Sequence, residues 1–218
     1  MQTGDTSGEG ELLGRHFFAR PVLAVSRDLL GCHLTHGGVT VRITETEAYA
    51  GHLDPGSHAY RGETPRTRPM FGPPGFTYAY FTYGNHWMLC LVTGAVGEAE
   101  AVLVRAGEVV GGEDLVRRRR SRVTRRDWTR GPGRLAQALA LTGADTGRDF
   151  CHPPLGEPID LTVTAGVGPD VVRVGPRVGV SGPGGDGEAF PWRFWAEGEP
   201  SVSTYRPGAV RRRAADPT

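Results

Sequence analysis

The sequence predicts an α+β fold organised around an antiparallel sheet, and three observations lead to this prediction. Segments with helical periodicity and segments with strand character both occur, but they do not alternate regularly as they do in a parallel βαβ sheet. Two strand-like segments meet at Gly84-Asn85, a dipeptide that is typical of hairpin turns. The 218 residues are sufficient for a single hydrophobic core, so we expect one domain.

The first quarter of the chain contains one predicted helix and one predicted strand. We expect residues 1–10 to be disordered. The apolar periodicity of residues 21–30 predicts a helix, which Pro21 opens and Gly31 ends. Residues 38–50 predict the first strand. Residues 51–75 then predict a loop rich in Gly, Pro and Arg, and a loop of this length in a compact domain is usually functional or mobile.

The rest of the chain predicts mostly short strands. They are expected at residues 76–84, 86–94, 99–109, 160–166, 177–182 and 190–198. One helix follows Gly112, with acidic residues in its first turn and arginines after them, the charge order that a helix dipole favours. Residues 131–143 predict a second helix. We expect a flexible basic tail at 206–218, which leaves a domain of residues 11–205.

The composition argues against several classes of protein. No apolar run approaches the roughly 18–20 residues of a membrane helix, and the polar start does not resemble a signal peptide. We therefore expect a cytoplasmic protein without a membrane segment. Cys32, Cys90 and Cys151 are odd in number and form no CxxC pair, which argues against a disulfide framework and a structural zinc site. No metal-ligand spacing relates His16, His33, His36, His86 and His152.

All 25 basic residues are arginines, and many of them cluster between residues 117 and 130. This bias can reflect a GC-rich coding sequence, and a charged helix face is often simply solvated. The functional alternative is contact with nucleic-acid phosphates, for which Arg118 and Arg122 are candidates. Gly133 and Arg134 stand at the start of the second predicted helix, where free backbone N–H groups suit a phosphate. The alternative there is an ordinary helix start.

Two glutamates continue the first predicted strand where apolar residues are expected. Strict alternation places Glu45 and Glu47 on the same face as Ile43, together with Tyr49. One interpretation is an edge strand with both carboxylates in solvent. The other is a strand that opens into a cleft, where a carboxylate can hold a water or a proton. Residues two apart on a strand lie roughly 6.5–7 Å apart, near the lower limit for an inverting O-glycoside hydrolase.

The aromatic residues of the predicted hairpin favour a different chemistry. Tyr80 lies in mid-strand, whereas Tyr83 lies at the tip, directly before the turn. We expect Tyr78 and Phe81 to belong to the core. A tyrosine at a turn beside an arginine-rich surface suits a wedge between stacked bases. Together with a carboxylate and a basic segment, this pattern predicts an enzyme that flips a nucleotide out of DNA.

Six segments resemble, in order and in spacing, the alkyladenine (3-methyladenine) DNA glycosylase family. They are VRITETEAYAG, SHAYRGETPRTRPMFGPPG, YAYFTYGNHWMLCLVTG, VLVRA, RGPGRLAQAL and PRVGV…PWRFW. The resemblance extends over about residues 12–202. It implies one mixed α/β domain with a curved antiparallel sheet flanked by helices. It also implies a monomeric, cofactor-free enzyme that hydrolyses the N-glycosidic bond of damaged purines in double-stranded DNA.

The resemblance also implies roles for individual residues. Glu47 corresponds to the general base that activates the attacking water, with Arg105 and the backbone carbonyl of Val178 as further partners of that water. The base pocket corresponds to Tyr49, His58 and Tyr80. Tyr83 corresponds to the wedge. Glu45 does not match the catalytic position, so the two glutamates are not expected to form an acid/base pair, which weakens the O-glycoside hydrolase alternative.

One pocket position departs from the family pattern. Cys90 stands where the family usually carries an asparagine that disfavours guanine, so we expect guanine-type lesions to be accepted more readily if Cys90 faces the pocket. The expected substrates are 3-methyladenine and 7-methylguanine, with hypoxanthine and ethenoadenine as further candidates. The expected location is the prokaryotic cytoplasm or nucleoid. A non-catalytic nucleic-acid-binding module of the same fold is the remaining alternative.

Overall fold

The sheet is antiparallel throughout, as the sequence predicts. The computed structural model describes residues 10–82, 84–152 and 160–209. Within these ranges eight strands form one sheet in the order β3-β4-β5-β2-β1-β6, and β8 pairs with β2 and with β7. The strands are β1 (His33–His36), β2 (Val39–Ala50), β3 (Thr77–Thr82), β4 (His86–Thr93), β5 (Glu100–Gly111), β6 (Thr162–Thr164), β7 (Val172–Gly175) and β8 (Arg193–Ala196).

The α-helices are short. They are α1 (Arg15–Phe18), α2 (Val22–Asp28), α3 (Glu113–Arg119) and α4 (Pro132–Ala138). Helix α4 ends before the predicted stop at Gly143 because Ala140 adopts a left-handed φ of 57°. No α-helix in the described ranges has the length and apolar character required to cross a membrane.

The structure differs from the predicted strands in two places. Strand β1 lies in a segment where no strand was predicted, and it pairs with β2 and β6. The strand predicted at 177–182 is wrong, because its backbone donors bind other partners. The Val178 N–H donates to Glu47, and the N–H of Gly179, which has a φ of 74°, donates to the carbonyl of Arg206. The neighbouring strand is β7 instead.

Apolar side chains cover both faces of the sheet. The larger core packs α2 and α4 against one face and includes Val25, Val41, Ile43, Ala48, Leu89, Leu91, Val102, Val104 and Leu135. A smaller cluster on the opposite face includes Ala59, Met70, Tyr78, Cys90, Val92, Ala101 and Leu103. This second face borders a large cleft.

A pair of bulges at the centre of the sheet changes which side chains face the cleft. Ile43 pairs with Gly107, Glu45 with Ala106, and Thr46 with Val104, so Thr44 on β2 and Arg105 on β5 have no opposite residue. Since an extra residue reverses the alternation, the prediction that Ile43 and Glu45 share a face is wrong. Beyond the bulge the larger core continues through Ala48 and Ala50, while Glu45, Glu47 and Tyr49 lie on the cleft side.

Candidate active site

The cleft has a volume of about 500 Å³ and is lined by several parts of the chain. Its walls come from the loop after β2, from the cleft-facing residues of β3, β4 and β5, from the loop before β8 and from the start of α4. The residues that line it include Tyr49, His58, Tyr78, Tyr80, Met88, Cys90, Arg105, Pro132 and Val178. The sheet therefore brings together most of the residues that the sequence predicted for catalysis and base binding.

Glu47 is fully buried directly behind this lining, where it accepts two hydrogen bonds and forms one ion pair. The Val178 N–H donates to Oε1 at 2.7 Å, and the Tyr49 hydroxyl donates to Oε2 at 2.8 Å. Arg105 Nη1 lies 3.0 Å from Oε2. Oε1 thus retains acceptor capacity, because a carboxylate oxygen has two lone pairs. All three donors line the cleft, so a carboxylate of fixed orientation lies immediately behind its wall.

Glu45 is also fully buried, and it accepts four hydrogen bonds. Its Oε1 accepts from Arg105 Nε at 2.8 Å, from Arg193 Nε at 2.7 Å and from the Ser203 hydroxyl at 2.8 Å. Its Oε2 accepts from the Ser203 N–H at 2.7 Å. Burial opposes the charge of Glu45, but Arg105, Arg193 and Ser203 outweigh it and hold its pKa below the ordinary value. Glu45 therefore anchors two arginines, Arg105 and Arg193.

Arg105 connects the two carboxylates. Its Nε binds Glu45 and its Nη1 binds Glu47, while its side chain is only 6 % exposed. Burial alone would lower the pKa of the guanidinium, but Glu47 and Glu45 raise it above its usual value, so the side chain remains cationic. Because both glutamates bind this one cation, they do not face each other across a substrate as the paired carboxylates of an O-glycoside hydrolase do.

Three aromatic rings form a compact group on the cleft wall. Tyr78 and Tyr80 stack with ring centroids 5.2 Å apart, and His58 lies edge-on to Tyr80 at 4.7 Å. The Tyr78 hydroxyl lies 3.3 Å from His58 Nδ1. Desolvation, aided by the charge of Arg66, lowers the pKa of His58, so the ring is neutral near pH 7. Tyr78 is buried, as predicted, but it also lines the cleft, which the sequence did not indicate.

Cys90 lies on the cleft face of β4, between Tyr78 on β3 and Leu103 on β5. Its side chain lines the cleft although the residue is only 4 % exposed. Burial, reinforced by the charge of Glu47, raises the pKa of the thiol well above its usual value, so Cys90 remains protonated. A small, uncharged side chain therefore occupies this position in the wall.

The hairpin tip is described only in part. Tyr83, the predicted wedge, lies outside the described residues. The prediction that Phe81 belongs to the core is wrong, because its ring is 46 % exposed and contacts Trp87 with a centroid separation of 5.1 Å. Alternation along β3 turns Tyr78 and Tyr80 towards the cleft, and Phe81 therefore points to the other side.

The arginine-rich segment is divided between internal and free side chains. Arg119 donates to the carbonyls of Ala138 and Gly37, and therefore serves the fold. Arg118 and Arg122 are exposed and have no ion pair or hydrogen bond within the described ranges. The other two residues predicted to contact phosphates, Gly133 and Arg134, lie in α4. Arg134 is exposed and pairs with Asp127 at 2.8 Å, whereas Gly133 is buried, and a Cβ there would lie 2.8 Å from the His86 ring.

A buried ion pair that the sequence did not indicate lies beside the cleft. The guanidinium of Arg177 forms two hydrogen bonds to Asp54, at 2.5 and 2.6 Å, and both side chains are fully buried. The ring of Tyr49 lies 4.6 Å from the guanidinium carbon. Nothing in the sequence distinguished Arg177 from the many surface arginines. In the fold, its guanidinium also lies close to the rings of Phe190 and Trp192.

No group of three or more His, Cys, Asp or Glu side chains is arranged to hold a metal ion in the part of the chain that the structure describes.

Comparison with known proteins identifies relatives over most of the chain. Residues 16–200 match the family described as methylpurine-DNA glycosylase. A protein of Streptomyces avermitilis is 52 % identical over 206 residues, which is 92 % of this chain and 95 % of that protein. Proteins of Frankia casuarinae and Leifsonia xyli are 50 % and 49 % identical, covering 89 % and 88 % of this chain and 93 % and 92 % of their own lengths. All three carry the name "Putative 3-methyladenine DNA glycosylase".

Proposed function

Since the chain belongs to the methylpurine-DNA glycosylase family, we propose that it removes alkylated purines from DNA by hydrolysing the bond between base and deoxyribose. The product is an abasic site, and the deoxyribose-phosphate backbone remains intact. 3-Methyladenine is the first expected substrate, because it appears in the names of the relatives. 7-Methylguanine is the second, with hypoxanthine and ethenoadenine as further candidates.

The observation that carries this proposal is the position of Glu47. Three donors fix its carboxylate directly behind the wall of an aromatic cleft, and one oxygen retains acceptor capacity. A water bound there would donate a proton to Glu47 as its oxygen attacks C1′ of a flipped nucleotide. Arg105 and the carbonyl of Val178 would orient the same water. The bonding electron pair leaves with the base and neutralises the positive charge of an alkylated purine.

The aromatic lining suits the cationic base. Tyr49 and Tyr80 offer ring faces to a purine, and the neutral His58 completes the wall. A cation over an aromatic face gains about 0.5–2 kcal/mol, so a positively charged lesion binds better than an undamaged base. A damaged base also leaves the stack at lower cost, which adds to the selectivity.

Contact with DNA would place the cleft over the flipped nucleotide. Arg118 and Arg122, which have no partner among the described residues, are available to phosphates, and the start of α4 adds Gly133 and Arg134 beside Pro132, which lines the cleft. Tyr83 would fill the space that the extruded base leaves. The partner we propose is double-stranded DNA with damaged purines, bound by a monomer in the cytoplasm or nucleoid.

The two alternatives fit the site less well. A non-catalytic binding module has no use for a buried carboxylate that is held in one orientation by three donors. An O-glycoside hydrolase requires two carboxylates on opposite sides of a sugar, whereas Glu45 and Glu47 are bound to the same side chain, Arg105.

The direct test is excision from duplex oligonucleotides that each carry one lesion: 3-methyladenine, 7-methylguanine, hypoxanthine or ethenoadenine. We expect abasic sites from the 3-methyladenine duplex and none from the undamaged duplex. Binding to every lesion duplex without any excision would favour the non-catalytic module. Hydrolysis of an aryl glycoside instead of DNA would favour the O-glycoside hydrolase.

A further inference from the structure

We infer that Arg177 is a positioning residue for the proposed general base, Glu47. It holds in place two of the three donors that bind Glu47, the Val178 N–H and the Tyr49 hydroxyl. Arg177 does not contact Glu47 in the structure. It lies next to Val178 in the chain and beneath the ring of Tyr49. This inference rests on the proposed function and extends it to a residue outside the cleft lining.

The first support runs through the loop before β8. Arg177 Nη2 donates to the Gly184 carbonyl at 2.7 Å and to Asp54 Oδ1 at 2.6 Å. These contacts tie the two ends of the short segment 177–184 to each other and tie Arg177 to Asp54, in the loop after β2. Val178 lies directly after the tethered residue, and its N–H therefore points at Glu47 Oε1 from a fixed backbone.

The second support runs through β2 and Tyr49. Arg177 Nη1 donates to the Ala48 carbonyl at 2.9 Å, between the two residues Glu47 and Tyr49. The guanidinium also lies 4.6 Å from the centre of the Tyr49 ring. The ring is thus supported on its buried face while its hydroxyl donates to Glu47 Oε2. The third donor, Arg105, is held independently by Glu45.

The charge of this pair is maintained in spite of its burial. Desolvation alone would lower the pKa of Arg177, but the hydrogen bonds to Asp54 raise it above its usual value. The planar guanidinium donates four hydrogen bonds, two to Asp54 and one each to the Ala48 and Gly184 carbonyls, whereas a lysine ammonium has only three donors and cannot make all four. The arrangement is therefore specific to arginine.

The test compares Arg177→Lys with the wild type in two assays. Single-turnover excision of 3-methyladenine from a duplex reports the chemical step. Binding to a duplex whose lesion carries a 2′-fluoro sugar, which resists hydrolysis, reports affinity without turnover. We expect the excision rate to fall about 10–100-fold, since small misplacement of a reacting group has effects of this size, with affinity changed by less than about threefold.

The matched control is Arg42→Gln, which removes an arginine that pairs with Glu108 and Glu199 away from the cleft. It should leave both the excision rate and the affinity unchanged. If Arg177→Lys does not fold, Asp54→Asn serves in its place, because it keeps Arg177 and preserves the size of the side chain. The same separation of rate from affinity is expected.

A double-mutant cycle distinguishes positioning from general support of the fold. Tyr49→Phe removes the hydroxyl that donates to Glu47. If Arg177 acts through this donor, the combined variant should lose less activity than the product of the two single losses. Three results would each overturn the inference about Arg177 without affecting the proposed function: single losses of excision rate that multiply in the double variant, an equal fall of excision rate and DNA affinity in Arg177→Lys, or full activity of Arg177→Lys. A wild-type protein that excises no lesion would instead refute the proposed function.

Discussion

Glu45 and Glu47 are held by the same guanidinium: Arg105 Nε lies 2.8 Å from Glu45 Oε1, and its Nη1 lies 3.0 Å from Glu47 Oε2. The two carboxylates nevertheless have different surroundings. Glu45 accepts four hydrogen bonds from Arg105, Arg193 and Ser203, whereas Glu47 is held by donors of the cleft wall and its Oε1 accepts only one hydrogen bond. One carboxylate therefore orients the arginine, and the other is available for chemistry.

Glu45→Gln should reduce stability more than catalysis. The substitution leaves the buried Arg193 without a charged partner, and breaking a buried ion pair on one side costs about 3–5 kcal/mol. Excision below the unfolding temperature should fall much less than in Glu47→Gln, because Arg105 keeps its contact with Glu47. Thermal unfolding and single-turnover excision of both variants check this, and equal losses of excision would show that the base has been assigned wrongly.

The same residue predicts a pH dependence of stability. The pKa of Glu45 is lower in the folded protein than its ordinary value of 4.5. Its stabilising contribution is therefore complete above about pH 4.5 and is lost as the pH falls towards the folded pKa. The unfolding temperature of the wild type should decrease more steeply below pH 4.5 than that of Glu45→Gln. If the unfolding temperatures of the two proteins fell in parallel with pH, the ionised Glu45 carboxylate would not contribute to stability.

The sequence predicted the side chains of this site better than their arrangement. Tyr49, His58, Tyr80 and Arg105, which the family resemblance implied, line the cleft, and so does Cys90, whose position the sequence left open. The bulges at Thr44 and Arg105 were not predicted, because a bulge depends on the pairing of two strands that are distant in the sequence. Strict alternation consequently placed Glu45 and Glu47 on the wrong face.

The role of Arg177 could not be predicted for a related reason. In a chain whose basic residues are all arginines, the type of residue does not separate a buried ion pair from a solvated charge. The burial of Arg177 follows from Asp54, which is 123 residues away and becomes its neighbour only in the fold. The strand predicted at 177–182 failed because these tertiary hydrogen bonds replace the pairing of a sheet edge.

Excision should leave the DNA strand uncut. Glycosylases that also cleave the backbone usually form a Schiff base with an amine, and this chain contains no lysine. Incubation with lesion DNA and borohydride should therefore yield no covalent protein–DNA adduct. A trapped adduct of the wild type would contradict a mechanism that only hydrolyses the bond between base and deoxyribose.

Tyr83→Ser should impair excision most from fully paired DNA. The proposed wedge replaces the extruded base in the stack, and stacking on one aromatic side chain is worth roughly 1–3 kcal/mol. The loss should be smaller when the lesion lies in a mismatch or a single strand, where flipping costs less. Single-turnover rates on the three substrates make the comparison, and equal losses would indicate a packing role for Tyr83.

Cys90→Asn should shift selectivity away from guanine-type lesions. Cys90 lines the cleft, so a larger polar side chain there reduces the space beside the purine. A change of this kind in an apolar pocket shifts selectivity by about 1–3 kcal/mol. The ratio of 7-methylguanine to 3-methyladenine excision should fall relative to the wild type. An unchanged ratio would show that Cys90 does not contact the base.

The most direct test of the account is the activity of Glu47→Gln on a duplex that carries 3-methyladenine. The amide keeps the size of the side chain but cannot accept the proton of the attacking water. Binding should remain close to that of the wild type, because the aromatic walls are unchanged, while single-turnover formation of abasic sites should be almost abolished. Excision by Glu47→Gln at a rate near that of the wild type would contradict the assignment of Glu47 as the base.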